Sequence, residues 1–118
     1  MEFYGYKKCS TCRDAHNYLA RHGVELAFHD LVQSPPSVDQ LASWVARRGE
    51  GVQPFINVKG ISYRALGDEA QSWNEDAWLR ALSADGKLLK RPILVRDDGI
   101  VLGFDRSVYA ALVGDSSR

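Results

Sequence analysis

The chain has 118 residues, 45% apolar and 25% charged, with fifteen basic side chains against fifteen acidic ones. That balance belongs to a globular protein with enough chain for one domain, 1–118, around a single core, and it excludes the disordered and fibrous classes. Zero net charge argues against direct nucleic-acid binding, the run MEFYGYKKC has no apolar h-region, and no segment approaches the roughly 18 apolar residues of a membrane span.

Phe3 to Tyr6 is a short apolar and aromatic run that reads as a strand ending at a pair of cysteines. Ser10 or Thr11 is the expected cap of a helix in which Ala15, Tyr18, Leu19 and His22 keep the i, i+3, i+4, i+7 spacing of a buried stripe. Gly23 falls where a helix C′ residue is expected. Val24, Leu26 and Phe28 then alternate with Glu25, Ala27 and His29, the period of a second strand. This opening is a β-α-β unit, which predicts a parallel strand pair.

Ser34-Pro35-Pro36-Ser37 breaks the pattern, and Ser37 with Gln40 has the capping-box spacing. Val38, Leu41, Ala42 and Val45 mark the helix that follows, stopped near Gly49 and Gly51. The stretch PFINVKGISYRAL has no clean period and predicts loop mixed with short helical turns. A further helix is expected from about Asn74 to Ala84, with Trp78, Ala81 and Leu82 facing inward and Asp85-Gly86 closing it. Trp44, Trp73 and Trp78 read as packing residues. Ile93–Val95 and Ile100–Leu102 are strands around Arg96-Asp97-Asp98-Gly99, where Asp-Gly is a hairpin signal. Asp105 can cap a last helix carrying Val108, Tyr109, Leu112 and Val113.

The fold class is therefore α/β: β-α-β, helices, then β-β-α, a thioredoxin-like plan with a small mixed four-stranded sheet flanked by helices. Its two halves are expected at about 1–33 and 90–114, with a helical insertion at about 34–89.

The chemistry concentrates in Lys7-Lys8-Cys9-Ser10-Thr11-Cys12-Arg13, which holds the only two cysteines. A lone CxxC can be half of a zinc site, a structural staple or a reactive dithiol. Zinc needs about four ligands and a second CxxC is absent, so no metal is expected. The expected compartment is the cytoplasm, where structural disulfides are rare, and that favours the reactive thiol. A cysteine between a strand end and a helix start meets unpaired N–H groups and the positive end of the helix dipole, both of which stabilise a thiolate. Lys7, Lys8 and Arg13 add positive charge. Cys9 is the expected nucleophile; Cys12, one turn inside, can attack it afterwards.

Pro92 opens an apolar strand, a position proline tolerates as a plain strand starter. In thioredoxin-like folds the proline at this point is cis and lies against the CxxC, which would bring Arg91 beside Cys9.

With CSTCR after a strand, GISYRAL in the middle and KRPILV before a hairpin, the sequence resembles the arsenate reductase family ArsC and its relative Spx from Phe3 to about Val113. The resemblance implies Cys9 as the thiolate that attacks arsenate or a glutathione-linked disulfide. It also implies Arg64 and Arg91 as oxyanion-binding arginines, with Lys8 and Pro92 at the same site. No cofactor is implied; glutathione, with glutaredoxin or thioredoxin, is the implied reductant, and a monomer is expected. Two departures bear on activity: Phe104 stands where the family has a third arginine, and Cys12 stands where the arsenate enzymes have serine. Spx has a CxxC, so the alternative implied is a redox-sensing regulator. It would bind the C-terminal domain of the RNA polymerase α subunit and switch through a Cys9–Cys12 disulfide.

Overall fold

The computed structural model of the chain describes residues 1–97 and 99–114. Strand β1 (Glu2–Gly5) leads through a turn into helix α1 (Ser10–Arg21), and β2 (Ala27–Asp30) returns parallel to β1, with Phe3 opposite Phe28. The middle of the chain carries α2 (Val38–Arg48), a 3-10 turn at Gln53–Phe55, the short α3 (Ile61–Ala65), a 3-10 segment at Gly67–Ser72, α4 (Glu75–Ala84) and a 3-10 turn at Gly86–Leu88. Strands β3 (Ile93–Arg96) and β4 (Gly99–Leu102) and helix α5 (Arg106–Leu112) complete it. The sheet order is β2-β1-β3-β4, with β3 antiparallel to both neighbours. This is the mixed four-stranded plan expected from the sequence. Arg96 pairs with Gly99 at the hairpin, whereas Asp98 of the predicted Asp-Gly turn lies outside the described residues.

Side chains leave a strand on alternating faces, so successive residues of one strand serve different cores. Phe3 and Leu94 pack with Ala15, Tyr18, Leu19 and Tyr109, beneath α1 and α5. Ile93 faces the other way and joins Leu31, Leu41, Trp44, Phe55, Trp78 and Leu82 under the insertion. Trp44 and Trp78 are buried and Trp73 packs partly buried against them, as expected of packing residues.

Helix boundaries follow side-chain capping. Ser37 accepts from the Gln40 N–H, and the αL residue Gly49 ends α2. Asn74 caps α4 by accepting from the Ala77 N–H, and Asp105 caps α5 through the N–H groups of Ser107 and Val108. Three expectations are corrected. The α1 cap is Cys9, not Ser10 or Thr11, because its sulfur accepts from the Cys12 N–H. His22 is not in the buried stripe: it is the exposed C-cap residue, its ring 4.4 Å from that of Tyr18. The second strand starts at Ala27 rather than Val24, because the Val24 N–H is already committed to the Leu19 carbonyl in the helix-ending turn.

The insertion is tied to the segment that enters β3. Asn57 N–H donates to the Leu88 carbonyl and Lys90 N–H to the Phe55 carbonyl, each at 2.8 Å. Gly86 passes so close to Leu31 that an added Cβ would sit 1.8 Å from its carbonyl oxygen, so only glycine fits there.

Candidate active site at the CxxC

The apolar alternation that ends β1 at Gly5 places Tyr6, Lys7 and Lys8 in a turn, and the Cys9 N–H donates back to the Tyr6 carbonyl. Gly5 lies under the second cysteine: a Cβ there would stand 3.3 Å from Cys12 Sγ. Cys9 is half-buried at the mouth of α1, while Cys12 is 2% exposed one turn inside. Both are thiols.

The Cys12 N–H lies 3.4 Å from Cys9 Sγ. Burial alone pushes the Cys9 thiol up. Hydrogen bonds from the Cys12 thiol and N–H, and then the hydrogen bond and charge of Arg91, outweigh burial and hold it below the ordinary thiol range. Cys12 moves the other way. Burial, followed by its hydrogen bond to Cys9, pushes it up to about 12. The two sulfurs are thus shifted in opposite directions, Cys9 toward the thiolate and Cys12 toward the protonated thiol.

Arg91 lies beside Cys9, directly before Pro92, which is fully buried at the entrance to β3 and follows a cis peptide bond. The Pro92 carbonyl accepts from the Gly103 N–H at 2.8 Å, which fixes the turn against the far end of β4. The guanidinium is held by the Lys87 carbonyl at 3.2 Å and by the Tyr6 ring, 5.8 Å from its carbon. Its Nε is buried without a hydrogen-bond partner among the described residues.

The remaining predicted residues are placed less centrally. Lys8 is exposed in the turn before Cys9. Arg64 is exposed on α3 and donates to the Lys59 carbonyl at 3.4 Å; the cation acting on Cys9 is Arg91, and Arg64 is not among the groups that shift it. Phe104 packs against Tyr18 and Tyr109, with ring centroids 5.8 Å and 4.8 Å away, so this position contributes to the core beneath α5. Among the described residues no group of three or more His, Cys, Asp or Glu side chains could hold a metal ion.

Sequence reasoning missed Tyr6, which supports Arg91, and the pair His16 and Phe28, which line a cavity with Cys12. Periodicity marks Tyr6 only as a strand residue and Phe28 as core. Nothing in local spacing says that β2 is an edge strand, with Phe28 38% exposed.

A mixed four-stranded sheet flanked by helices, with a CxxC at the start of its first helix and a cis-proline at the entrance to β3, defines a thioredoxin-like protein. Residues 4–112 match the model of the ArsC family, and the chain belongs to that family. It is similar to the uncharacterized protein YusI of Bacillus subtilis, 34% identical over 92% of this chain and 94% of the relative. It is also similar to the global transcriptional regulator Spx of Streptococcus pyogenes, 24% identical over 93% of this chain and 82% of the relative. Among solved structures, a possible arsenate reductase from Streptococcus mutans superposes with a TM-score of 0.83, at 37% identity, over 94% of this chain and 95% of the other.

Proposed function

We propose that the protein is a thiol-dependent oxidoreductase in which the Cys9 thiolate attacks a glutathione-linked disulfide or a small oxyanion such as arsenate. The observation that carries this reading is Cys9 at the mouth of α1, where the Cys12 N–H lies 3.4 Å from its sulfur and Arg91 beside it helps to lower its pKa. In the disulfide reaction Cys9 S⁻ attacks the sulfur bound to glutathione or its partner. That S–S bond breaks, one thiolate leaves and a mixed disulfide on Cys9 forms. Cys12 then gives up its proton to the departing thiolate and attacks Cys9 Sγ, closing Cys9–Cys12 and releasing the second thiol. The dithiol has supplied two electrons, and glutathione, glutaredoxin or thioredoxin returns them. With arsenate, the two electrons that take As(V) to As(III) come from the Cys9 thiol and one glutathione thiol, which end joined as a mixed disulfide. Arg91, the cation beside Cys9, would bind the incoming anion through its guanidinium, and Arg64 and Lys8, exposed on α3 and in the turn before Cys9, would have to move toward it to contribute.

Cys12 and the core position of Phe104 favour the disulfide substrate, since the first supplies a resolving thiol and the second removes an oxyanion donor. The test is turnover of glutathionylated peptide and of arsenate, each with glutathione and with or without glutaredoxin. Glutathionylated peptide should be reduced by the intact protein and not by Cys9→Ser; absence of turnover on both substrates overturns the reading. The similarity to Spx supports a second reading, a redox-sensing regulator that switches through Cys9–Cys12 and binds the C-terminal domain of the RNA polymerase α chain. It requires a complex that changes with the thiol state, and no binding in either state removes it.

A further inference from the structure

Between α1 and the edge strand β2 lies an open cavity of about 320 Å³. Cys12 forms part of its wall, and the aromatic rings of Tyr6, His16 and Phe28 supply the rest of its apolar surface. The His16 ring meets Phe3 and Phe28 edge-on, with centroids 5.5 Å and 6.2 Å away. Phe28 leaves 38% of its surface uncovered although it belongs to a strand in register with the buried Phe3. Lys7, Arg13 and Asn17 are the polar residues of the lining, and no acid is among them. Both cations are exposed, and neither has a carboxylate partner among the described residues.

We propose that this cavity is a binding site for a small aromatic carboxylate. A volume at the lower end of ordinary ligand pockets suits one or two fused rings. Rings set edge-on to one another favour a planar aromatic guest over a flexible chain, because edge-to-face contacts add to simple area burial. Two unpaired cations and one amide beside an apolar floor select a single anionic group at one end of that guest. The site shares Cys12 and Tyr6 with the redox reading but opens on the Phe28 side of α1, whereas Arg91 approaches Cys9 from the start of β3.

The test is titration of the full-length reduced protein with 2-naphthoate, followed by backbone amide NMR, beside 2-naphthylmethanol and octanoate. Saturable shifts should appear at His16, Asn17 and Phe28, and 2-naphthoate should bind at least about tenfold more tightly than either comparison compound. Arg13→Glu, an exposed change checked for folding by circular dichroism, should weaken 2-naphthoate about tenfold and leave 2-naphthylmethanol unchanged. Three results would each overturn the proposal: no saturation below about 10 mM, equal affinity for the alcohol or for octanoate, or shifts confined to other faces.

Discussion

Cys9 and Cys12 are the same side chain on the same turn, yet the fold drives their acidities apart. Cys9 has its anion stabilised, so its reaction with iodoacetamide should rise with pH and level off below the ordinary thiol value of 9.0. Arg91→Ala removes one charge-assisted hydrogen bond and should shift that profile upward; an unmoved profile would show that the helix terminus alone sets the acidity. The same variant should weaken anion binding by about 1.5–3 kcal/mol, read from inhibition by a competing oxyanion. Cys12, pushed up to about 12, should stay unmodified in native Cys9→Ser protein at neutral pH. Of these features the motif is legible in the sequence, because CxxC between a strand and a helix fixes which sulfur is exposed. The cap is not: Ser10 and Thr11 are the better cap formers by type, and only the position of the turn shows that the sulfur of Cys9 takes the N–H instead.

Among the secondary elements, α2, α4 and α5 lie where capping residues and apolar spacing predict them, within a residue or so. The region 53–72 resists such reading because its turns are short and held by tertiary contacts, with α3 carrying no buried side chain. The start of β2 is hidden for a related reason. Alternation along Val24, Leu26 and Phe28 is a real pattern, but Val24 is spent in the turn that ends α1 and Phe28 stands at an open sheet edge. By residue type Gly86 reads only as a helix stop, whereas its larger role is to let Leu31 pass. Gly86→Ala places a methyl group against the Leu31 carbonyl and should destabilise the protein by at least about 1–3 kcal/mol in urea unfolding, with no direct effect on the acidity of Cys9.

For the protein as a unit, the buried neutral groups near the sheet set its tolerance to alkali. Burial, then the charge of Cys12, raises Tyr109, and Cys12 itself is raised, so in base the unfolded chain ionises before the native one. Their contribution is complete below the ordinary values of 9.0 and 10.0 and is lost as pH climbs beyond them. Cys9 acts with the opposite sign, its contribution lost toward acid and already complete above 9.0. The urea midpoint of the reduced protein should therefore fall above about pH 9, and fall less steeply in Cys12→Ala. The overall plan is readable from element order alone, but not the seam at which the insertion joins the sheet, since sequence carries no sign of the main-chain bonds from Asn57 to Leu88 and from Lys90 to Phe55. That seam lies on the path from the outer helices to Arg91. α4 runs into the turn at Gly86–Leu88, the Leu88 carbonyl accepts from the Asn57 N–H, and Leu89, Lys90 and Arg91 follow. The outer helices and Arg91 thus belong to one continuous, hydrogen-bonded run of chain.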